Sequence, residues 1–189
     1  MTERAARAAK AYRQEPAKPL IAREAPGLPW PLRPGRLTGD MPDINVWLAL
    51  AVQEHPHHGP ARRYWDEAQL AMQDAPPGDA TLWFCRTTML GLVRLLCQPK
   101  VVGEGALPLT RAFALYQRFR SLPGVGMLQE PATCEDKLQT FVTARTMPAR
   151  LWTDAWLAAQ AAAAGVRLVT FDKDFLRFGL ERCTVLPTR

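Results

Sequence analysis

Hydrophobic and polar residues follow two different periods from residue 41 onward. Short apolar runs, typical of buried strands, alternate with longer stretches in which apolar residues recur at helical spacing. Strands are predicted just before Asp43 and at residues 80–85, 125–128, 167–172 and 183–186; helices are predicted at 45–54, 61–73, 89–97, 110–121, 134–146 and 153–165, with a helical turn at 174–178. This alternation predicts an α/β fold in which a parallel sheet of four or five strands carries helices on both faces.

Turn-forming and capping residues predict where these elements end. A turn is predicted at residues 55–60, which contain prolines and a glycine, and a loop at residues 98–107. Thr87 and Thr88 are expected to cap the helix that follows them. Gly165 is expected to end the Ala-rich helix that precedes the fourth strand.

Residues 1–39 differ in composition from the rest of the chain and predict a leader in front of a single domain at residues 40–189. Six prolines fall between positions 16 and 34. Because proline lacks an amide donor and restricts the residue before it, no regular packed element is expected there. We therefore expect the leader to be mobile, or to be missing from the native protein if translation starts at Met41.

Composition and charge limit the class of protein to which this chain can belong. Apolar residues make up 48% of the chain, as in globular proteins. No apolar run is long enough to cross a bilayer and no secretory signal is present, so a cytoplasmic location without membrane contact is expected. The net charge is +6, but residues 1–40 carry eight Lys and Arg against four Asp and Glu, so the domain itself shows little basic excess for a nucleic-acid surface. The four cysteines form no Cys-x-x-Cys pair, which disfavours zinc and predicts reduced, mostly buried thiols.

Four aspartates stand where this fold would concentrate its chemistry. Asp43 follows the first strand, Asp172 ends the fourth, Asp174 lies just beyond it, and Asp154 opens the helix that leads into the fourth strand. Strand ends and helix starts share one edge of a parallel sheet, so these carboxylates are expected to meet there. Clustered carboxylates repel one another unless a cation lies among them, and oxygen ligands favour Mg²⁺ or Mn²⁺. The predicted chemistry is phosphodiester hydrolysis by a metal-activated water.

These and other conspicuous residues also have simpler structural interpretations. Asp43 could act only as a helix N-cap, and Asp174 only as an acid that stabilises a first helical turn. Trp152 and Trp156 could stack on bases or pack inside the fold. A solvated loop away from the acidic edge is expected for His55, His57 and His58. Phosphate contacts are possible, if the side chains cluster in space, for Arg62, Arg63, Arg86, Arg111, Arg118 and Arg120.

Four segments of the chain occur in a distinctive order. They are MPDINVW at 41–47, LWFCRTTMLGLVR at 82–94, TDAWLAA at 153–159 and TFDKDF at 170–175. In this order they resemble the successive motifs of PIN-domain ribonucleases, with the nearest likeness to VapC-type toxins of bacterial toxin–antitoxin pairs. The resemblance spans residues 41–187, and its specificity comes from the order because each motif alone is weak.

The resemblance implies a three-layer α/β/α sandwich, RNA cleavage that depends on Mg²⁺ with Mn²⁺ as a substitute, a cognate protein antitoxin and a homodimer. It also implies roles for the acids. Asp43 and Asp154 would be the metal ligands, while Asp172 would complete the catalytic acids with support from Asp174.

The resemblance also bears on three positions near these acids. By the same resemblance, Asn45 and Thr88 would be polar neighbours that orient a carboxylate or a water. Met89 stands where many relatives carry a Glu, which favours one well-held metal over a symmetric two-metal site.

Two alternatives remain open: a PIN-like interaction module that has lost efficient catalysis, and a small phosphatase or phosphoacceptor, which would need paired acids in the first motif.

Overall fold

The computed structural model describes residues 39–73, 80–144 and 146–188, and within them five short strands form one parallel sheet. The strands are β1 (Asp40–Pro42), β2 (Leu82–Phe84), β3 (Val125–Met127), β4 (Arg167–Thr170) and β5 (Cys183–Val185). Their order across the sheet is β3-β2-β1-β4-β5, and each neighbouring pair is parallel. The predicted α/β fold with a parallel sheet is therefore confirmed.

Six of the seven α-helices of the described residues agree with the predicted helices to within three residues at each end. The seven are α1 (Ile44–Ala51), α2 (His58–Gln73), α3 (Arg86–Leu96), α4 (Pro99–Val102), α5 (Leu109–Arg120), α6 (Cys134–Ala144) and α7 (Trp152–Ala164), with 3₁₀ helices at Gly103–Gly105, Ala149–Leu151 and Lys173–Phe178. Gly165 ends α7 in the left-handed conformation with φ 72°, which glycine adopts without steric cost. Its predicted role as the helix stop is confirmed.

Three local predictions are wrong. Helix α2 begins inside the predicted turn, at His58, because Pro60 falls in its first turn, where a missing amide donor is tolerated. Helix α3 begins at Arg86, three residues before its predicted start, with Cys85 as its N-cap; Thr88 contributes to the cap from inside the first turn, where its hydroxyl accepts from the Cys85 amide. The predicted loop at 98–107 contains α4, which starts at Pro99 for the same reason as α2.

Helices cover both faces of the sheet, so the fold has three layers. Successive strand residues point to opposite faces: Leu168 belongs to one buried core and Val169 to the other. On one face, under α1, α2, α3 and α5, Trp47 stacks on Phe84 with 3.8 Å between the ring centroids. On the other face, α6 and α7 pack over a core that includes Phe175.

A partly buried ion pair joins β1 to β4 at the amino end of the sheet. Arg167 donates to both carboxylate oxygens of Asp40, at 2.7 and 2.6 Å, and the Tyr64 hydroxyl donates to the same carboxylate at 2.9 Å. Because Asp40 is buried, these bonds replace the water that its charge loses on folding.

The strand order creates a crevice between β1 and β4. The chain leaves β1 towards β2 on one side, whereas β4 lies on the other side. Ligands of open α/β sheets bind at such a reversal, beyond the carboxyl ends of the strands. Asp43 follows β1 and Asp172 follows β4, so both flank this crevice.

Two sequence predictions concern the chain as a whole. The predicted leader, residues 1–39, lies outside the described residues except for Gly39. In the part of the chain that the structure describes, no helix is long and apolar enough to cross a bilayer.

Candidate active site

Asp43 lies at the junction between β1 and α1 and is held there by two hydrogen bonds. Its Oδ1 accepts from the amide of Ile44 at 2.6 Å, and its Oδ2 accepts from the hydroxyl of Thr170 at 2.9 Å. The residue is only 6% exposed. Asp43 therefore is the N-cap that the simpler interpretation predicted, but it is also a buried carboxylate at the crevice.

The hydroxyl of Thr170 connects three residues of the site. It accepts from the side-chain amide of Asn45 at 3.1 Å and from the backbone amide of Asp172 at 3.0 Å. Since both acceptor positions of the hydroxyl are used, its one proton is directed to Asp43. Asn45 is oriented in turn, because its Oδ1 accepts from the amide of Phe171 at 3.2 Å.

Asn45 contacts Thr170 and the Phe171 amide rather than a carboxylate, so its predicted role in orienting a carboxylate would act through Thr170 and stays a prediction. Sequence reasoning missed Thr170 itself. The available signal was a hydroxyl at the end of an otherwise apolar strand, two residues before an aspartate.

The carboxylates of three separate elements influence one another. Burial raises the pKa of Asp43 to about 7, and the nearby Asp154 and Asp172 add to this rise against the opposing bonds from Thr170 and Ile44. Burial also raises the pKa of Asp154, with further contributions from Asp172 and Asp174. The fold therefore brings the carboxylates at the end of β1, at the start of α7 and after β4 within electrostatic range of one another. Their convergence on one metal ion stays a prediction.

Asp172 and Asp174 occupy the turn after β4. Oδ1 of Asp172 accepts from the amide of Asp174 at 2.8 Å, which caps the 3₁₀ helix Lys173–Phe178. Asp174 instead contacts two arginines, with Oδ2 bonded to Arg150 and Oδ1 to Arg177, each at 3.0 Å. The bond from Arg150 and the charge of Arg177 lower the pKa of Asp174.

The acids of the site offer carboxylate oxygens, the type of ligand that Mg²⁺ and Mn²⁺ prefer. Within the described ranges, no three His, Cys, Asp or Glu side chains are grouped closely enough to form a complete site by themselves. Mg²⁺ commonly uses one or two carboxylates and keeps several waters. A cation beside Asp43 would also remove the repulsion that contributes to its raised pKa.

Thr88 and Met89, on the neighbouring helix α3, have structural contacts. The Thr88 hydroxyl accepts from the amide of Cys85 at 3.0 Å and donates to the carbonyl of Cys85 at 3.1 Å. These bonds stabilise the first turn of α3 and involve no carboxylate. Met89 packs, partly buried, against the core of the first face, so this position supplies no acid to the site.

The histidine segment lies nearer to the acidic edge than expected. His57 stacks on Phe171, the residue before Asp172, with 4.7 Å between ring centroids. His58 Nδ1 lies 2.8 Å from the carbonyl oxygen of Ala49. All three histidines are partly buried, so the prediction of a solvated loop remote from this edge is wrong.

The two tryptophans beside Asp154 differ in their surroundings. Trp156 packs against the core of the second face, which confirms the packing interpretation, while Trp152 is 56% exposed.

Of the six arginines considered, most are exposed on helix surfaces. Arg62 pairs with Asp66 on its own helix, and Arg120 donates to the carbonyl of Val125. The arginines bonded to the acidic site are Arg150 and Arg177, which sequence reasoning had not considered.

The four cysteines are free thiols, two of them buried.

Comparisons with known proteins agree with this architecture. Residues 41–180 match the family model of the PIN domain. Ribonuclease VapC41 of Mycobacterium tuberculosis is 36% identical over 141 residues, which cover 72% of this chain and 91% of that protein. Ribonuclease VapC38 of the same species is 30% identical over 141 residues, which cover 74% of this chain and 89% of that protein.

Solved structures share the fold at lower sequence identity. VapBC2 of Rickettsia felis, bound to a DNA fragment from its promoter, superposes with a TM-score of 0.55 at 12% identity, covering 78% of this chain and 98% of that chain. VapC20 of Mycobacterium tuberculosis, described as a sarcin-ricin loop cleaving toxin, superposes with a TM-score of 0.54 at 19% identity, covering 79% of this chain and all (100%) of that chain. The match to the domain family and the identity to the VapC proteins over most of both chains show that this chain belongs to the PIN-domain family, among its VapC-type members.

Proposed function

We propose that this chain is a metal-dependent endoribonuclease that hydrolyses RNA phosphodiester bonds and acts in the cytoplasm as the toxin of a toxin–antitoxin pair. The single observation that carries the proposal is the buried carboxylate of Asp43, raised in pKa to about 7 by burial and by two further aspartates at the same crevice. Relatives at 36% and 30% identity are named ribonucleases, which supports RNA as the substrate.

In this proposal Asp43 and Asp154 hold Mg²⁺, or Mn²⁺ in its place. When bound, such a cation supplies charge stabilisation at a phosphate and a water of lowered pKa. Thr170 and Asn45 keep Asp43 in one orientation through the hydrogen bonds at its Oδ2, so that a lone pair of the carboxylate stays directed at the crevice. Asp172 uses Oδ1 to cap the following turn, and its Oδ2 is assigned to accept a proton from the attacking water.

The partners follow from the same relatives. VapBC assemblies are among the chains with this fold, which supports a protein antitoxin as the partner that holds the nuclease in check. A homodimer is proposed on the family resemblance. A short reading frame with a DNA-binding pattern next to the gene would support the antitoxin, and light scattering of the purified chain tests the dimer.

The deciding experiment is cleavage of a structured RNA by the full chain in Mg²⁺. Asp43→Asn and wild type treated with EDTA are expected to lose cleavage to the same background level. Asp66→Asn is the matched control, because it makes the same chemical change in an exposed aspartate that pairs with Arg62, and it should cleave like wild type. Equal amounts of intact RNA with wild type and Asp43→Asn would overturn the enzyme assignment.

A second candidate, an interaction module without efficient catalysis, is favoured by one observation. Met89 packs against the core at the position where the family resemblance implies an acid, so the site relies on fewer carboxylates. This candidate predicts antitoxin binding with no RNA cleavage at any Mg²⁺ or Mn²⁺ concentration, which the same assay would reveal.

A further inference from the structure

Two arginines converge on a single carboxylate at the rim of the acidic crevice. Arg150, in the 3₁₀ helix before α7, donates to Oδ2 of Asp174, and Arg177, in the 3₁₀ helix after β4, donates to Oδ1. Each bond is 3.0 Å long. One aspartate therefore orients two guanidinium groups that come from separate parts of the chain, and the cluster keeps a net positive charge.

This cluster is connected to the proposed catalytic acid Asp172 by one short hydrogen bond and to Asp154 by electrostatics. The amide of Asp174 bonds to Oδ1 of Asp172 at 2.8 Å. The charge of Arg150 also opposes the rise in the pKa of Asp154, so its guanidinium lies within electrostatic range of that carboxylate. Through Asp174, both positive groups are thus linked to the turn that carries Asp172.

Both guanidinium groups remain available to a ligand. The side chain of Arg150 is 66% exposed and that of Arg177 is 41% exposed. Each uses one nitrogen in its bond to Asp174, while a guanidinium carries five N–H donors in a fork that matches phosphate oxygens. An ordinary surface ion pair such as Arg62–Asp66 leaves no surplus charge, whereas here two cations share one anion.

We infer that Arg150 and Arg177 form a clamp for an RNA phosphate next to the scissile one, and that Asp174 is the positioning residue that holds both guanidinium groups in place. The inference rests on the proposed nuclease function and specifies how that site binds its substrate. An RNA backbone that approaches several carboxylates is repelled by them, and two oriented guanidinium groups at the rim supply the opposing attraction. Arg150 and Arg177 are thereby binding residues, distinct from the acids that act on the water.

The test measures RNA binding separately from cleavage. Affinity for a fluorescein-labelled single-stranded RNA is measured by anisotropy over a range of salt, in Mg²⁺ buffer, with every protein carrying Asp43→Asn to suppress cleavage. Adding Arg150→Gln or Arg177→Gln is expected to raise the Kd about 5- to 10-fold and to reduce the slope of log K against log salt by about 0.7, the value for one lost phosphate contact on a single strand.

Two further variants control for charge and folding. Arg62→Gln removes the same charge from another exposed arginine–aspartate pair and should leave the Kd within about twofold of the parent. Arg150→Lys keeps the charge but not the fork; it should retain most of the salt slope with a smaller rise in Kd. Thermal unfolding of each variant identifies any that do not fold. If Arg150→Gln does not fold, Arg177→Gln and Arg150→Lys still decide the question.

The outcomes separate the clamp from the nuclease. The clamp is overturned if Arg150→Gln and Arg177→Gln match Arg62→Gln in both Kd and salt slope, or if the parent chain has no affinity for RNA. Weakened binding in both variants supports the clamp even if wild type fails to cleave RNA, a result that would overturn only the proposed activity.

Discussion

Replacing Asp43 with Asn is expected to stabilise the folded chain when no divalent cation is present. The wild-type carboxylate is almost completely buried and lies near two other aspartates. An ionised carboxylate is more stable in water than at such a buried position, so its charge destabilises the folded state. Asparagine has nearly the same shape but carries no charge. The substitution therefore removes the free-energy cost of burying the carboxylate charge, with little change in packing.

The magnitude follows from the pKa and from the hydrogen bonds. A rise in the pKa of Asp43 from 3.8 to about 7 corresponds to roughly 4 kcal/mol of unfolding free energy at about 1.36 kcal/mol for each pH unit. The amide oxygen of Asn can still accept from Ile44, but its NH₂ group would then face the Thr170 hydroxyl, which loses its acceptor. One such lost bond costs about 1–3 kcal/mol, which leaves a net stabilisation of about 1–3 kcal/mol.

The stability difference between Asp43→Asn and wild type should also depend on pH, and in a definite direction. The folded pKa of Asp43 lies above its unfolded value, so the folded state favours the neutral acid. The stability that comes from this protonation is complete below about pH 3.8 and is lost as the pH rises through about 7. Acidification from about pH 8 to about pH 5.5 should therefore reduce the advantage of Asp43→Asn over wild type by roughly 2 kcal/mol.

The assay is urea unfolding of the full chain in EDTA, followed by circular dichroism at both pH values. Asp66→Asn, at an exposed ion pair, serves as the control and should change stability by less than about 0.5 kcal/mol. Repeating the measurement with Mn²⁺ at about 100 times its Kd should stabilise wild type by about 2.7 kcal/mol and leave Asp43→Asn unchanged.

Two results would refute this reasoning. One is a loss of stability in Asp43→Asn at about pH 8 in EDTA, comparable to that expected for a lost cap. The other is a stability difference between variant and wild type that does not change with pH. Either would mean that burial and the neighbouring aspartates do not disfavour the charge on Asp43.

Three further predictions concern two residues of the site and one residue at the opposite end of the sheet. Thr170→Val, which removes the hydroxyl bonded to Asp43, should lower RNA cleavage and destabilise the fold by about 1–3 kcal/mol, while Thr170→Ser retains both properties; cleavage rates and urea unfolding measure this. Tyr64→Phe removes the donor to Asp40 at the opposite end of the sheet and should cost about 1–3 kcal/mol in urea unfolding with unchanged cleavage by the folded protein. Asp174→Asn should leave Mn²⁺ affinity unchanged in calorimetry, because both oxygens of Asp174 already bind arginines; a large loss of affinity would instead identify it as a metal ligand.

Much of the fold could be predicted from the sequence because its signals are local. The periods of apolar residues depend only on which way neighbouring side chains point along a strand or helix, and they identified the strands and six of the helices. Gly165 was identified as a helix stop because the left-handed conformation it adopts is a property of that residue. Errors occurred where prolines were treated as breakers, at Pro60 and Pro99, although both lie in first turns.

The candidate site could be predicted only at the level of topology. The positions of Asp43, Asp154 and Asp172 at strand ends and a helix start were enough to expect them at one edge. Asp43 and Asp154 are each influenced by other acids of this edge, while their convergence on one ion and the assignment of metal ligands among them stay predictions.

Tertiary structure alone decided how the side chains at this edge are connected. Arg150 and Asp174 are 24 residues apart in sequence, and Thr170 lies 127 residues from Asp43. No local pattern specifies that their polar atoms come within hydrogen-bonding distance, because this depends on the order of β1 and β4 in the sheet and on the packing of the segments that follow them. Burial likewise belongs to the assembled fold, so the sequence determines which residues carry charge, and the surroundings that folding creates determine how readily each one keeps it.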